Sequence, residues 1–107
     1  MKVTFWGVRG SIPACGVEYT QFGGHTSCVQ VQADGLNIIF DMGTGAPDLG
    51  RQVLNQTPES KPLPLHILLS HYHLDHVSGL PFFGPLYQVR SQINFYGMGP
   101  VEQRLKE

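Results

Sequence analysis

The sequence predicts an α/β fold of the α+β kind, in which a mixed β-sheet that contains a β-hairpin is flanked by helices. Three segments indicate it: a hairpin pattern over 29–40, a helical pattern over 46–55 and a nearly continuous apolar strand over 65–69. The 107 residues suffice for one small domain with a modest core and are too few for two. We therefore expect residues 1–107 to form a single domain.

Composition is that of a folded globular chain, with 41% hydrophobic and 14% charged residues. Seven basic and eight acidic side chains give a formal net charge of -1, so no broad basic surface is available to bind nucleic acid. No apolar run approaches the roughly 20 residues that span a membrane, and the residues before Cys15 lack the pattern of a secretory leader. These cysteines lack metal-type spacing, so they are interpreted as ordinary thiols of a reduced, cytoplasmic protein.

The residue pattern of the amino-terminal quarter predicts one strand followed by a long loop. Residues 2–6 alternate as a strand does, with Val3 and Phe5 on one face. Glycine and proline then interrupt residues 7–26, where no regular period is present. Because a loop of this length is uncommon in a compact domain unless it has a task, we expect it to border a site.

The clearest structural prediction is the β-hairpin that follows. Apolar and polar residues alternate over 29–32 and again over 36–40, on either side of a tight Asp-Gly turn. The second strand ends at Asp41, where glycines allow a sharp exit. Residues 46–55 then fit a short helix with a proline in its first turn.

Short elements alternate with connectors in the rest of the chain. A proline-rich connector at 57–64 leads into the apolar strand, in which His66 is interpreted as a packed or hydrogen-bonded histidine. Residues 80–87 predict an apolar lid or short helix, residues 92–96 a further strand, and residues 101–107 the beginning of a helix.

Three of the five histidines, His71, His73 and His76, lie with Asp75 in the six residues from 71 to 76. Neutral imidazole and carboxylate are ligands that suit zinc and similar divalent ions. In an extended segment His71 and His73 share a face, whereas Asp75 and His76 follow a turn and can face the same cavity from another side. One loop can therefore present ligands to two neighbouring ions, and a solvated or helix-capping polar loop is the less favoured alternative.

Asp41 is a candidate of a different kind, because it ends a strand beside the presumed site. Its carboxylate can accept the free ring N–H of a ligating histidine and so determine the tautomer of that histidine. On spacing alone, a cap of the turn before Gly43 is an equally good interpretation.

The run His71-Tyr72-His73-Leu74-Asp75-His76 matches the His-x-His-x-Asp-His signature of the metallo-β-lactamase fold superfamily. Asp41 followed by Gly43-Thr44-Gly45 resembles the first motif of that family. Segments 6–13, 22–29 and 79–83 are similar to the branch that contains cyclic-nucleotide phosphodiesterases, phosphonate-pathway cyclic phosphodiesterases and tRNA 3'-end endonucleases. The resemblance covers nearly the whole chain and implies the amino-terminal half of an αββα sandwich.

The resemblance also implies a site with two metal ions. His71 and His73 would hold one ion, Asp75 and His76 would hold the other, and Asp41 would orient a ligand from behind. Zinc is the implied metal, with manganese or iron as alternatives. Asp75 is also the implied catalytic residue, since it can orient the metal-bound hydroxide.

The family pattern is only partly present in this sequence. A further histidine for each metal and a bridging carboxylate have no match, since neither histidine nor aspartate occurs after His76. Each metal would then have two ligands, fewer than the three that a catalytic zinc normally has. We expect an incomplete domain, which is either one half of a longer hydrolase or a half that a second copy completes in a homodimer. His25 stands where the branch has asparagine. We expect a substitution without consequence, and an extra polar group at the edge of the site is the less favoured alternative.

The implied function is metal-dependent hydrolysis. The most direct reading is a phosphodiesterase that acts on a small or cyclic phosphodiester, because the near-neutral charge favours such a substrate over a long nucleic acid. Thioester or lactam hydrolysis by the same superfamily is the alternative within the enzymes. A truncated metal-binding or dimerising module without catalysis is the alternative outside them.

Overall fold

The computed structural model describes residues 1–97. Its strands and α-helices are β1 (Lys2–Gly7), β2 (Cys28–Ala33), β3 (Leu36–Phe40), α1 (Ala46–Gln56), β4 (Leu63–Leu68), α2 (Leu74–Val77) and β5 (Ser91–Tyr96). Short 3-10 helices lie at Val17–Tyr19, Leu80–Phe82 and Gly84–Tyr87. The helix predicted over 101–107 lies outside the described residues. Within 1–97, neither α-helix has the length and apolar character needed to cross a membrane.

The five strands form one sheet in the order β1-β2-β3-β4-β5. The strands β1, β2 and β3 pair antiparallel, whereas β4 pairs parallel with β3 and β5 pairs parallel with β4. Because β3 and β4 are parallel, the chain must cross over between them, and α1 makes that crossover. The predicted mixed sheet with a hairpin and flanking helices is confirmed.

The register of β3 and β4 determines which residues meet at the carboxyl edge of the sheet. Phe40 lies opposite Leu68, and the next amide, that of Asp41, donates to the Leu68 carbonyl at 2.8 Å. The segments that follow the two strands therefore leave the sheet side by side. This edge is where the candidate site lies.

The core lies between α1 and one face of the sheet. Alternate residues of β4 and the apolar side of α1 share this core, which explains why both segments are apolar at those positions. The buried apolar residues are Cys28, Ile39, Met42, Ala46, Leu49, Val53, Leu63, Leu65, Ile67, Leu69 and Phe83.

The opposite face of the sheet is apolar but exposed. Phe5, Phe40 and Tyr96, which the strand registers place on that face, are 68%, 40% and 49% exposed. A strand that is apolar at nearly every position, as β4 is, is typical of a sheet covered on both faces. Within residues 1–97, only the face that carries α1 is covered.

A glutamine lies in the core side of the hairpin. Gln30 is 1% exposed. Its side chain accepts a hydrogen bond from Trp6 Nε1 at 3.0 Å and donates one to Asn37 Oδ1 at 2.8 Å. A buried amide is tolerated when its polar atoms are paired in this way. The valines on either side of Gln30 consequently lie on the more exposed face.

The structure differs from the sequence predictions at the start of β4, and it specifies the lid or short helix predicted over 80–87. The strand β4 begins at Leu63 and not at residue 65, since Leu63 is 2% exposed and its amide donates to the Arg90 carbonyl at 3.0 Å. The predicted lid over 80–87 is a pair of 3-10 helices separated by Phe83, which is fully buried against the core.

Candidate metal centre

The site lies at the carboxyl edge of the sheet, where β3 and β4 end. Leu69 and Ser70 connect β4 to His71, and the single turn of α2 carries Asp75 and His76 back toward it. This turn is held in place because the Met42 amide donates to the His76 carbonyl at 2.8 Å. The segment that follows β3 and the segment that follows β4 therefore converge on one edge.

The structure brings three of the predicted ligands together. Ligand atoms of His71, Asp75 and His76 all lie within 4.8 Å of one another. The His71 and His76 rings are 3.8 Å apart between centroids, and His76 Nε2 is 3.2 Å from Asp75 Oδ2. Two imidazoles and one carboxylate at these separations fit a divalent cation such as zinc.

His73 occupies the position just before α2 and is exposed. Its ring lies edge-on to that of His71, with 4.8 Å between the centroids. It is thus a neighbour of the three-residue group and not a member of it. The assignment of His71 and His73 to one ion, with Asp75 and His76 on another, stays a prediction.

Asp41 lies behind the site and is 6% exposed. It adopts a left-handed backbone conformation, with φ of 66°, which is uncommon for a residue other than glycine. Its carboxylate accepts hydrogen bonds from the Ser70 amide at 2.8 Å and the Ser70 hydroxyl at 2.7 Å. The Asp41 side chain therefore bonds to Ser70 and does not cap the turn before Gly43, whose amide donates to the Ser27 carbonyl.

The same carboxylate faces His76. Asp41 Oδ2 lies 3.0 Å from His76 Nδ1, but the buried ring nitrogen does not have the geometry of a hydrogen bond. Asp41 thus lies beside a candidate ligand. The nitrogen on the other side of the ring, Nε2, is the one that faces Asp75.

Ser70 is a site residue that the sequence analysis did not single out. Its hydroxyl lies 3.0 Å from His71 Nδ1 as well as 2.7 Å from Asp41. Since a carboxylate only accepts, the serine proton goes to Asp41, and the serine oxygen must accept the Nδ1 proton of His71. His71 Nε2 then keeps its lone pair for a metal. The signal in the sequence is a hydroxyl residue between the apolar strand and the first histidine.

A comparison with protein families fits this geometry. Residues 22–94 match the model of the metallo-beta-lactamase superfamily. The chain belongs to the metallo-beta-lactamase superfamily. The resemblance drawn from the His-x-His-x-Asp-His signature is therefore confirmed.

Two similar proteins are larger than this chain. One is the cleavage and polyadenylation specificity factor subunit 3-I of Arabidopsis thaliana, which is 38% identical over 58 residues, or 53% of this chain and 8% of its own length. The other is a crystal structure described as a new diphosphatase from the PhnP family. It superposes with a TM-score of 0.56 at 24% identity and covers 97% of this chain, which spans 44% of that protein.

In this superfamily member, Asp75 is held as a carboxylate. The Ser11 amide donates to Asp75 Oδ2 at 3.1 Å, and this bond is the main cause that lowers the pKa of Asp75, with smaller contributions from His76 and His71. A carboxyl with a lowered pKa is ionised at neutral pH. Asp75 is therefore available as a ligand or hydrogen-bond acceptor under ordinary conditions.

The other candidates lie outside the group of three. Burial raises the pKa of the Cys28 thiol to about 12, with a further contribution from the charge of Asp41, and Cys28 lies outside the group of three. His66 pairs with the Tyr96 hydroxyl at 3.0 Å, as a packed histidine does. His25 lies 3.3 Å from Thr44 Oγ1 and 3.6 Å from Asp48 Oδ2.

Replacing Ser70 by alanine is expected to weaken zinc binding by about tenfold or more, because His71 loses the acceptor that selects its tautomer. Competition with a zinc chelator measures the affinity. Ser70→Thr keeps the hydroxyl and should retain the zinc affinity of the wild type. Ser78→Ala is the matched control, because it removes a hydroxyl from the same segment. Equal zinc affinities for Ser70→Ala and Ser78→Ala would contradict the assigned role.

Proposed function

We propose that this protein is a metal-dependent phosphodiesterase that acts on a small or cyclic phosphodiester. The observation that carries the proposal is the convergence of His71, Asp75 and His76 at the edge of the sheet, with Asp41 and Ser70 behind them. Membership of the superfamily supports a metal-dependent hydrolase. The diphosphatase among the similar proteins, and the branch resembled by the sequence around the signature, favour a phosphoester as substrate.

The proposed ligands are His71, Asp75 and His76, with His73 beside them for a second ion. Zinc suits this donor set best, and manganese or iron are alternatives. When bound, such an ion supplies positive charge for the phosphoryl oxygens and lowers the pKa of water.

Asp75 is the proposed catalytic residue. Its Oδ2 is already engaged by the Ser11 amide, and its charge is kept at neutral pH. A carboxylate held in this way can accept a hydrogen bond from the attacking water and direct the lone pair of that water at phosphorus. Ser70 and Asp41 orient His71 without touching the substrate.

The substrate class is proposed to be small. With a net charge of -1 the chain offers no broad basic surface for nucleic acid, and a short ester needs none. We also place the protein in the cytoplasm, a location that agrees with the two free cysteines among the described residues.

A substrate panel tests the function. The zinc-loaded full-length protein is expected to hydrolyse bis(p-nitrophenyl) phosphate, and to leave a chromogenic lactam and an acyl thioester unchanged at the same enzyme concentration. The matched control is the protein treated with a chelator and dialysed. Faster turnover of the lactam or the thioester would assign the other chemistry of the superfamily.

A non-catalytic dimerising module is the second candidate, and the exposed apolar face of the sheet favours it. Phe5, Phe40 and Tyr96 present a surface that a second copy, or a further part of the same protein, would cover. A metal-free protein that dimerises and hydrolyses none of the panel would support this candidate. Mass in solution and elemental analysis of the same sample give both readings.

A further inference from the structure

The loop between β1 and β2 forms a cavity of about 690 Å³ beside the metal centre. Its walls come from residues 8–11, 18–19 and 21–23, and they include Arg9, Tyr19 and Phe22. Volumes of this size are typical of sites for small organic ligands. Neither the candidate metal ligands nor the residues behind them line this cavity.

A strained turn joins this cavity to the metal centre. Ser11 has φ of 71°, and the Ile12 amide donates to the Gly10 carbonyl at 3.0 Å across it, which is the rare, strained form of the γ-turn. The turn directs the Ser11 amide at Asp75 Oδ2, 3.1 Å away. Strain of this kind persists where surrounding contacts hold it and is concentrated at functional sites.

Arg9 is held rigidly at the wall of the cavity. Its amide donates to the His25 carbonyl at 3.0 Å, its Nε donates to the Ile12 carbonyl at 2.8 Å, and its guanidinium lies 4.9 Å from the centre of the Tyr19 ring. These contacts use the backbone, one nitrogen and one face of the side chain. The two terminal nitrogens are left for a ligand.

The charge of Arg9 is not neutralised by the described chain. Within residues 1–97, no carboxylate oxygen lies within ion-pair distance of its guanidinium. Glu18 belongs to the same wall, but its carboxylate is folded back over Gly16, where an added Cβ would lie 3.0 Å from Oε2. A preorganised guanidinium with free terminal nitrogens is suited to bidentate binding of a phosphate.

We propose that Arg9 binds a second phosphate group of the substrate while the ester is hydrolysed at the metal centre. The inference rests on the proposed function and narrows its substrate class to phosphodiesters that carry another phosphate on the same molecule. The distances allow this, because Arg9 Nε lies within about 13 Å of Asp75 Oδ2 through the intervening turn. Tyr19 and Phe22 add aromatic surface to the same cavity for the part of the substrate between its phosphates.

Two chromogenic esters that differ by one phosphate test the proposal. They are the p-nitrophenyl ester of thymidine 5'-phosphate and the same ester with an added 3'-phosphate. For the zinc-loaded full-length protein, the KM of the ester with the added 3'-phosphate is expected to be about 10- to 100-fold lower than that of the other ester. A hydrogen-bonded pair of charged groups contributes an affinity difference of this size. In Arg9→Gln this difference in KM should vanish.

Matched variants separate phosphate binding from bracing of the loop. Arg51→Gln removes an exposed arginine that pairs with Asp48 on α1, and it should keep the wild-type KM difference. Arg9→Lys keeps the charge and should restore part of the difference. If Arg9→Gln raises KM for both esters equally, Arg9 only braces the loop and the proposal is overturned.

Binding without hydrolysis separates this proposal from the proposed function. The metal-free protein is titrated with thymidine 3',5'-bisphosphate and with thymidine 5'-phosphate, and the wild type should bind the bisphosphate more tightly while Arg9→Gln should not. If the wild type shows this preference for the bisphosphate and Arg9→Gln does not, but neither ester is hydrolysed, the anion site stands and the phosphodiesterase assignment fails. If both esters are hydrolysed with equal KM, the anion site is overturned and the function stands. With neither hydrolysis nor a binding difference, both fail.

Discussion

Replacing His76 by alanine is expected to remove the metal and to lower hydrolysis of bis(p-nitrophenyl) phosphate by about 10³-fold or more, since a bound cation supplies several kcal/mol to such a reaction. His76 is central to the group of three, because Nε2 faces Asp75 at 3.2 Å and the ring lies 3.8 Å from that of His71. Its main-chain carbonyl, which holds α2 to Met42, is retained in the variant. The fold should therefore survive the loss of the ligand.

Elemental analysis and initial rates, taken on the same preparation, measure this result. His66→Ala is the matched control, because it removes a histidine from β4 that pairs with Tyr96 and lies outside the group of three. It should keep wild-type metal content and rate. Full metal content in His76→Ala would exclude the ligand set proposed for this edge of the sheet.

His73→Ala sharpens the comparison. If His73 holds a second ion with His71, as the family signature implies, this variant should lose one equivalent of metal and most of its activity. Loss of no metal would instead restrict the site to the three residues that the structure brings together. The two alanine variants thus distinguish a one-ion centre from a two-ion centre.

Local sequence patterns predicted the hairpin, α1 and the strand before the signature because each is encoded by its own periodicity. The sequence indicated only that the chain turns before Asp75 and His76, and no periodicity predicted the helical turn of α2. Burial of Gln30 could not be predicted by periodicity, because it depends on Trp6 and Asn37 of neighbouring strands. Cross-strand partners of this kind are a property of the register.

The candidate ligands and Asp41 were predictable from the sequence, but Ser70 and Ser11, which bond to Asp41 and Asp75, were not. The signature contains His71, Asp75 and His76, so their types and spacing were visible. That Ser70 bonds to Asp41 follows from the parallel pairing of Phe40 with Leu68, which a strand apolar at nearly every position does not specify. The turn at Ser11 was also hidden, because no local signal places a serine at positive φ.

Replacing Gly43 by alanine is expected to destabilise the protein by about 3 kcal/mol, near the upper end for overpacking of a core. A Cβ at this position would lie 2.4 Å from the Asp75 carbonyl oxygen and 2.4 Å from Thr26 Oγ1. One of these atoms is main chain, so a rotamer change cannot relieve the clash. For a domain of this size the midpoint of thermal unfolding should fall by roughly 10 °C or more.

Gly10→Ala is the control for stability, since an added Cβ there meets nothing within 4 Å. Circular dichroism of both variants during heating gives the two midpoints, and a Gly43→Ala midpoint within about 2 °C of wild type would contradict the expected clash. Because the clash is with the main chain of Asp75 itself, α2 must move away from β3 for the variant to fold. Zinc affinity should therefore fall together with stability, and unchanged affinity would mean that contacts other than Gly43 position the ligands of α2.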